Sequence, residues 1–434
     1  MEYSFLFLIL SFFLFFPLLY LKRVHFGRIS ELNYFNVWFL IFILLGFIGA
    51  LITTLGGAGD SYFISGILYK ENVIEIGSMF ILWSGLGMFY SFIFFLLIVD
   101  KNGKLKWRNI VEENEQDANN EYIIILLFSI LSFFSFIYYQ LMVYPSPLIL
   151  AIQGDTLQAA LRRIEITKDL SMYANTYVIA FGNIIAQIFS LQLVIRNRKA
   201  NKERFLKFSM IFLSIFFLLT TSEKAPIIFY LFALYMSYSF SKKNILKLNL
   251  RIIIYFLIVL FLIYYIVVSD DVSEIKKMVF ERLFFAQMAI VYYSYDYYNS
   301  SNFIGLDSLG GFFNKLFDLS QAPPSSEVLM KVYFNEMLAG GGWNINGIYI
   351  SEAWSNYGWL GVILGPIYVG VVVGLLYIIL VRTSSSFSKA LLVFATCCSL
   401  SFSTSFNSYI YNTIFILLVF IVVFRIFMLK VLKK

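Results

Sequence analysis

The chain has 434 residues, of which 60% are hydrophobic and only 14% carry a charge. Soluble domains are about 45–50% apolar and about 25% charged, and a single hydrophobic core stops growing beyond about 250–300 residues. These totals exclude a soluble enzyme, a nucleic-acid-binding domain and a disordered chain. They predict an all-α, polytopic membrane protein. Its net charge of +7 can be interpreted only after the basic residues are assigned to the two sides of the membrane.

Apolar runs of about 20 residues predict transmembrane helices, because that length crosses a hydrocarbon core of about 30 Å. Eleven runs qualify. The pair 208–221 and 226–240 is short and could instead form a re-entrant hairpin, which would leave nine spans. The N-terminal run has no basic segment before it, so we interpret it as a span and not as a cleavable signal. The predicted spans are Tyr3–Leu21, Tyr34–Leu55, Ile76–Val99, Tyr122–Val143, Asn175–Ile195, Phe208–Thr221, Pro226–Phe240, Ile252–Ser269, Asn356–Val381, Ala390–Phe406 and Tyr409–Met428.

Lysine and arginine residues orient these spans. With the C-terminus in the cytoplasm and strict alternation, about two thirds of the 33 basic residues fall on the inner side, and every short inner loop is basic. This distribution satisfies the positive-inside rule. The sequence therefore predicts an N-out, C-in topology.

The longest connections then lie on the outer side. Residues 145–174 form one outer loop, and residues 270–355 form a second of about 86 residues. Loops of such length are uncommon unless they have a function. We therefore expect residues 1–434 to form a single integral membrane domain that works through two unequal outer loops.

The first outer loop contains a helical pattern from Asp155 to Asp169. Its apolar residues repeat at helical spacing and predict an amphipathic helix with Asp155 as N-cap. Arg162 and Arg163 point away from the apolar stripe. Either Arg162 forms a surface ion pair with Glu165, or the arginines bind an anion, because guanidinium groups form paired hydrogen bonds with phosphate oxygens.

The long outer loop begins with a helical pattern over residues 270–283 that contains the only arginine of this loop, Arg282. An aromatic stretch follows. Its rings could stack on the C–H faces of sugars or line the membrane interface. The stretch comprises Phe284, Phe285, Tyr292, Tyr293, Tyr295, Tyr297 and Tyr298.

Glu352 lies where the long loop enters the next span. A carboxylate at that depth is costly unless it is paired or solvated, and ionisable groups at membrane depth are candidates for function; a purely structural role is the alternative. The same reasoning covers Glu223 and Lys224 at the tip of the short helical pair, which could instead pair with each other.

Few residues of the chain are suited to metal or redox chemistry. His25 is the only histidine, and the two cysteines, Cys397 and Cys398, are adjacent within an apolar run. A multi-histidine metal site and a disulfide framework are therefore excluded. We expect no metal site and no cofactor.

The end of the long loop carries a family resemblance. The segments Gly340-Gly-Gly-Trp, Gly347-Ile-Tyr-Ile-Ser-Glu352 and Asn356-Tyr-Gly-Trp-Leu-Gly361-Val-Ile-Leu-Gly365-Pro resemble the late periplasmic loop and following helix of the bacterial O-antigen (oligosaccharide repeat-unit) polymerases, the Wzy family. The layout of about eleven spans and two unequal outer loops with arginines is also similar. The resemblance covers most of the chain as layout and about twenty-five residues as motif.

The resemblance implies a C-class (glycosyltransferase C-like) membrane enzyme of the bacterial inner membrane with a periplasmic active face. It would transfer a growing glycan from undecaprenyl diphosphate onto a new lipid-linked repeat unit, and a chain-length-regulating co-polymerase would be a possible partner. A departing diphosphate needs cations, and an attacking hydroxyl needs a base. The implied catalytic residues are Glu352, Arg282 and Arg162, with Glu165 and Asp296 as other candidate bases; the implied substrate-binding residues are Arg163, Lys224, Glu165 and Tyr349.

Other functions remain open from the sequence. An O-antigen ligase is disfavoured because that family relies on a periplasmic histidine and His25 falls on the inner side. A flippase or transporter of lipid-linked oligosaccharide would be expected to show paired repeats, short loops on both sides and charged central spans. No internal repeat is seen, and transport does not explain the outer loop of about 86 residues. A membrane scaffold protein is also compatible with the composition. Lys224 stands where relatives often have arginine, so its role stays open.

Overall fold

The structure of the chain is a computed structural model. It describes residues 2–17, 19, 33–59, 61–100, 115–168, 175–198, 200–220, 224–241, 258, 272–309, 316–320, 322–335, 347–383, 385–399, 402, 405–411 and 413–432. The predicted span Ile252–Ser269, His25, Glu223 and the Gly340–Trp343 motif lie outside these ranges, apart from residue 258.

The described residues form sixteen α-helices and short 3₁₀ turns. The helices are α1 Glu2–Phe12, α2 Tyr34–Thr54, α3 Glu71–Val99, α4 Glu115–Met142, α5 Pro147–Ile152, α6 Thr156–Lys168, α7 Thr176–Arg196, α8 Asn201–Thr220, α9 Lys224–Ser241, α10 Val272–Phe284, α11 Ala286–Tyr298, α12 Ser325–Tyr333, α13 Tyr349–Arg382, α14 Ser386–Phe394, α15 Asn407–Ile410 and α16 Thr413–Leu432. Helix α2 contains a π-helical turn at Ile43–Phe47, and a second π-helical turn, Ala395–Ser399, follows α14.

Five of these helices are long and apolar enough to cross a membrane: α2, α3, α4 from Ala118, α7 and α13. They match five of the predicted spans to within a few residues at most ends. Asn33 and Asn175 explain two of the starts, since each side chain accepts hydrogen bonds from backbone N–H groups of the first turn. The fold is that of a helical, multi-pass membrane protein, and the full count of eleven spans stays a prediction.

The chain divides into two compact units. Unit 1 comprises Met1–Trp107, Lys247–Ile379 and Leu400–Tyr411, and unit 2 comprises Arg108–Leu246, Leu380–Ser399 and Asn412–Lys434. Each unit combines segments that are distant in sequence. Unit 1 holds the long loop and the Glu352 segment, and unit 2 holds the amphipathic helix of the first loop.

Helix α11 is packed inside unit 1, and most of its aromatic rings are not exposed at a membrane interface. Tyr292 is fully buried, and its hydroxyl lies 2.9 Å from the Ser78 hydroxyl. A Cβ atom at Gly77 would lie 2.2 Å from the Tyr292 ring, so only glycine allows α3 and α11 to pack this closely. Tyr293 and Tyr298 are also buried. These three tyrosines are therefore core residues, because their rings fill the space between helices instead of facing sugars or lipid.

The connection 55–70 between α2 and α3 packs against the long loop. Lys70 at its end contacts Asp296 of α11, and the Tyr62 ring lies 6.4 Å from the ring of Phe334, which directly follows α12. Both segments therefore lie at the same end of α3. We call this end of unit 1 the loop end.

Candidate functional site

Helix α13 is interrupted six residues after Glu352. Gly358 has φ 58° and ψ −139° inside the helix, a combination that residues with a Cβ rarely adopt. The first turns, from Tyr349, are therefore set at an angle to the long apolar part. The Trp354 indole N–H donates to the Ser294 carbonyl at 3.1 Å and fixes these turns against α11.

Glu352 lies in these first turns, buried but not isolated. Glu352 is 8% exposed. Its Oε2 accepts the backbone N–H of Asn407 at 2.9 Å, and the Ser405 side chain and Phe406 backbone also interact with the carboxylate. Among the described residues, these three neutral groups hold the acid, and a carboxylate has about four acceptor positions in all.

A network of amides and hydroxyls surrounds Glu352. The Asn407 side chain donates to the Ser308 carbonyl at 3.0 Å and to its hydroxyl oxygen at 2.9 Å. The Asn356 side chain donates to Asn407 Oδ1 at 3.0 Å, and Ser308 donates to Asn356 at 3.2 Å. The network ties α13, the long loop and residues 405–411 together, so the position of Glu352 is defined from three segments.

A second carboxylate, Asp296, lies at the loop end of unit 1. The Lys70 ammonium contacts its two oxygens at 2.7 and 2.6 Å, and the Tyr333 hydroxyl donates to Oδ2 at 2.7 Å. The Asp296 side chain is 13% exposed and that of Lys70 is 34% exposed. We call these three residues the Asp296 cluster.

Burial keeps the phenols around Asp296 protonated. Burial is the main cause that raises the pKa of Tyr333, and the hydrogen bond to Asp296 and its negative charge add to it. Burial also raises the pKa of Tyr293 to about 12. At neutral pH, Tyr333 is therefore a hydrogen-bond donor to Asp296.

Aromatic rings connect the Asp296 cluster to Arg282. The exposed Arg282 guanidinium lies 5.3 Å from the Phe63 ring centre, within cation–π range. The rings continue from Phe63 to Tyr62 at 6.0 Å, to Phe334 at 6.4 Å, to Tyr293 at 5.0 Å and to Tyr333 at 4.6 Å. Three of these five rings, Phe63, Phe334 and Tyr293, are buried, so the rings form a packed aromatic cluster. The cluster extends from the Arg282 guanidinium to the Asp296 carboxylate.

The predicted residues of the first outer loop all belong to unit 2. Helix α6 covers Thr156–Lys168, and Asp155 caps it by accepting the Gln158 N–H at 3.1 Å, as predicted. Arg162 donates to Glu165 at 2.8 Å, so the predicted ion pair is present. Arg163 is half-buried on the same helix. Lys224, which lies outside this loop, also belongs to unit 2 and is the first residue of α9.

Tyr349 packs inside unit 1. It is fully buried, and its hydroxyl donates to the Ser84 carbonyl at 2.7 Å. Its ring contacts Phe402 at 5.2 Å and Tyr409 at 5.9 Å. Because its ring and hydroxyl are both used in packing, the site proposed below omits Tyr349.

Several residues that build these sites are not apparent from the sequence alone. Asn356 lies inside the family-like motif, and its amide could have been noted there. Nothing in the local sequence marks Lys70, Ser308, Tyr333 or Asn407 as site residues. Within the described ranges, no group of three or more His, Cys, Asp or Glu side chains could hold a metal ion.

The chain matches no protein-family model, no curated protein and no solved structure. Its function therefore has to be argued from its own residues.

Proposed function

We propose that this protein is a membrane glycosyltransferase that polymerises lipid-linked oligosaccharide repeat units, as the O-antigen polymerases do. It transfers the growing glycan from undecaprenyl diphosphate to the terminal sugar of a new lipid-linked repeat. The observation that carries the proposal is that the buried acid Glu352 and the exposed cation Arg282 belong to the same compact unit.

The reaction requires one bond to form and one to break. A hydroxyl oxygen of the acceptor sugar bonds to the anomeric carbon of the donor glycan. The bond from that carbon to the phosphate oxygen breaks, and its electron pair leaves with the lipid diphosphate. The hydroxyl proton passes to a base, and the negative charge on the diphosphate needs a cation.

Glu352 is the proposed base. The Asn407 N–H holds Oε2 at 2.9 Å and so orients the carboxylate, while its remaining acceptor positions can take the proton of a sugar hydroxyl. Burial of the carboxylate excludes bulk water, which would otherwise compete as acceptor and hydrolyse the donor. Glu165 is half-exposed and paired with Arg162, which makes it a weaker candidate for the same role.

Arg282 is the proposed partner of the diphosphate. Its guanidinium is exposed, and a planar guanidinium can form two parallel hydrogen bonds with phosphate oxygens. Charge-assisted bonds of this type contribute about 1.5–3 kcal/mol each. Arg162, Arg163 and Lys224 of unit 2 are further proposed cations for the donor and acceptor.

The proposal includes a location and a topology. The chain would cross the bacterial inner membrane about eleven times, with the N-terminus outside, the C-terminus in the cytoplasm and the loop end of unit 1 in the periplasm. The basic residues on the predicted inner loops support this orientation. The periplasmic face is also the side on which a lipid-linked glycan would be elongated.

A deletion strain tests the proposal through its glycan ladder. Loss of the protein should leave acceptors capped with a single repeat, and the wild-type gene should restore long chains. Complementation with Arg282→Ala should leave only single repeats, as in the deletion strain. Glu327→Gln, which removes an exposed ion pair with Lys331, should restore the full ladder. Loss of all repeats would instead indicate a ligase or flippase, and an unchanged ladder would contradict the proposal.

A further inference from the structure

We infer that the Asp296 cluster and the neighbouring tyrosines of connection 55–70 form an oligosaccharide-binding subsite. This inference rests on the proposed function and adds to it the position of the sugar part of the substrate. It concerns residues that the proposed transfer step does not use.

The polar half of the subsite is a donor and an acceptor held side by side. Lys70 and Asp296 contact each other at 2.6 Å, and both remain partly exposed. Adjacent hydroxyls of a sugar ring can donate to a carboxylate and accept from an ammonium at the same time. Tyr333 fixes the carboxylate from the other side at 2.7 Å, so Asp296 is oriented before any sugar arrives.

The apolar half consists of exposed tyrosine rings. Tyr62 is 45% exposed and Tyr69, next to Lys70, is 76% exposed. The Tyr62 ring is supported by the buried rings of Phe63 and Phe334 at 6.0 and 6.4 Å. An exposed ring on a packed base offers a flat apolar face to the C–H groups of a sugar, and its hydroxyl remains free to meet water or ligand.

The subsite also adjoins the proposed phosphate ligand. Phe63 contacts Tyr62 on one side and the Arg282 guanidinium, 5.3 Å away, on the other. The proposed sugar-binding ring of Tyr62 and the proposed phosphate-binding cation Arg282 therefore both contact Phe63. A lipid-linked sugar diphosphate presents these two chemical groups next to each other, which is why we choose it over a bare lipid headgroup.

The test uses the sugar part alone. The probe is the free repeat-unit oligosaccharide, released by mild acid from the lipid carrier of the deletion strain, so that it has neither diphosphate nor lipid. Binding to the purified full-length protein in nanodiscs is measured by titration calorimetry and by saturation-transfer NMR. Tyr62→Ala and Tyr333→Phe should each weaken binding by about tenfold, and Glu327→Gln on the same helix as Tyr333 should leave it unchanged.

Tyr333→Phe removes one hydroxyl and keeps the ring, so it separates loss of the hydrogen bond to Asp296 from loss of packing. Circular dichroism and gel filtration confirm that each variant is folded. Wild-type affinity in both variants, or no binding of the probe to the wild-type protein, would overturn the subsite and leave these tyrosines as residues of the membrane interface.

The glycan ladder distinguishes this inference from the proposed function. Weakened probe binding together with a normal ladder in the deletion strain would support the subsite and overturn the polymerase. Single repeats in the deletion strain together with wild-type probe binding in both variants would support the polymerase and overturn the subsite.

Discussion

The two units hold their buried acids in different ways. In unit 2, Glu121 is bound by the Arg425 guanidinium and by Gln192, and Arg425 also stacks 4.6 Å from the Phe387 ring. Glu203 of the same unit pairs with Arg196 at 3.4 Å, with both side chains buried. Glu121 and Glu203 therefore each meet an arginine that is itself packed in the unit.

In unit 1, where Asp100 and Glu281 are also buried, Glu352 and Asp296 contact connecting segments of the chain. Glu352 is contacted by neutral donors among the described residues, and Asp296 by one half-exposed lysine and a phenol. An acid whose charge is fully matched by a buried guanidinium is suited to fixing helices, because breaking that pair leaves an uncompensated charge. An acid with neutral donors keeps acceptor capacity for a substrate. Under the proposed function, this contrast makes Glu352 of unit 1 the better base, and it makes Glu121 and Glu203 of unit 2 residues that hold helices together.

The largest stability effect should come from breaking the unit 2 pair. Arg425→Ala leaves Glu121 buried without its main partner and should lower the free energy of unfolding by about 3–5 kcal/mol. Lys70→Ala breaks the more exposed unit 1 pair and should cost about 1 kcal/mol or less, since solvent screens it. Thermal and denaturant unfolding in detergent measures both.

Adding Glu121→Gln to Arg425→Ala should recover part of the loss, because the second substitution removes the stranded charge. Equal destabilisation by Lys70→Ala and Arg425→Ala would abolish the distinction between the units. No recovery in the double variant would show that Arg425 acts through packing on Phe387 and not through Glu121.

A smaller effect should come from the break in α13. Gly358→Ala places a Cβ at φ 58°, 2.8 Å from the Phe303 ring, and should cost about 1–3 kcal/mol. It should also shorten the glycan ladder, because the break sets the turns that carry Glu352. Gly59→Ala is the matched control, since nothing lies within 4 Å of its added Cβ.

The double variant Gly358→Ala with Phe303→Ala separates the two causes. If backbone conformation dominates, removing the ring will not restore the ladder. A normal ladder in Gly358→Ala alone would mean that the break has no part in placing Glu352.

Local patterns in the sequence predicted local structure well. The lengths of the apolar runs correctly predicted five long helices. The Asp155 cap and the Arg162–Glu165 pair were predictable because the partners are three residues apart. Contacts between distant segments carry no such signal. Asn407 meets Glu352 across 55 residues and Lys70 meets Asp296 across 226, so the sequence could name the acids but not their partners.

Burial of the tyrosines was missed for a related reason. The stretch around Tyr292 is rich in hydroxyl-bearing rings and looks like an interface segment. Its burial depends on Gly77 and Ser78 of α3, which make room for the ring and satisfy its hydroxyl. Only the pairing of α3 with α11 brings these residues together.

The most direct test of the central claim is turnover by the purified protein. Full-length protein in nanodiscs, supplied with lipid-linked repeat units, should form longer glycans and release one undecaprenyl diphosphate per new linkage. Glu352→Gln should slow the single-turnover rate by about 10²–10⁴-fold while the lipid-linked repeat still binds, and Glu327→Gln should react at the wild-type rate. A near-normal rate for Glu352→Gln would contradict its role as the base.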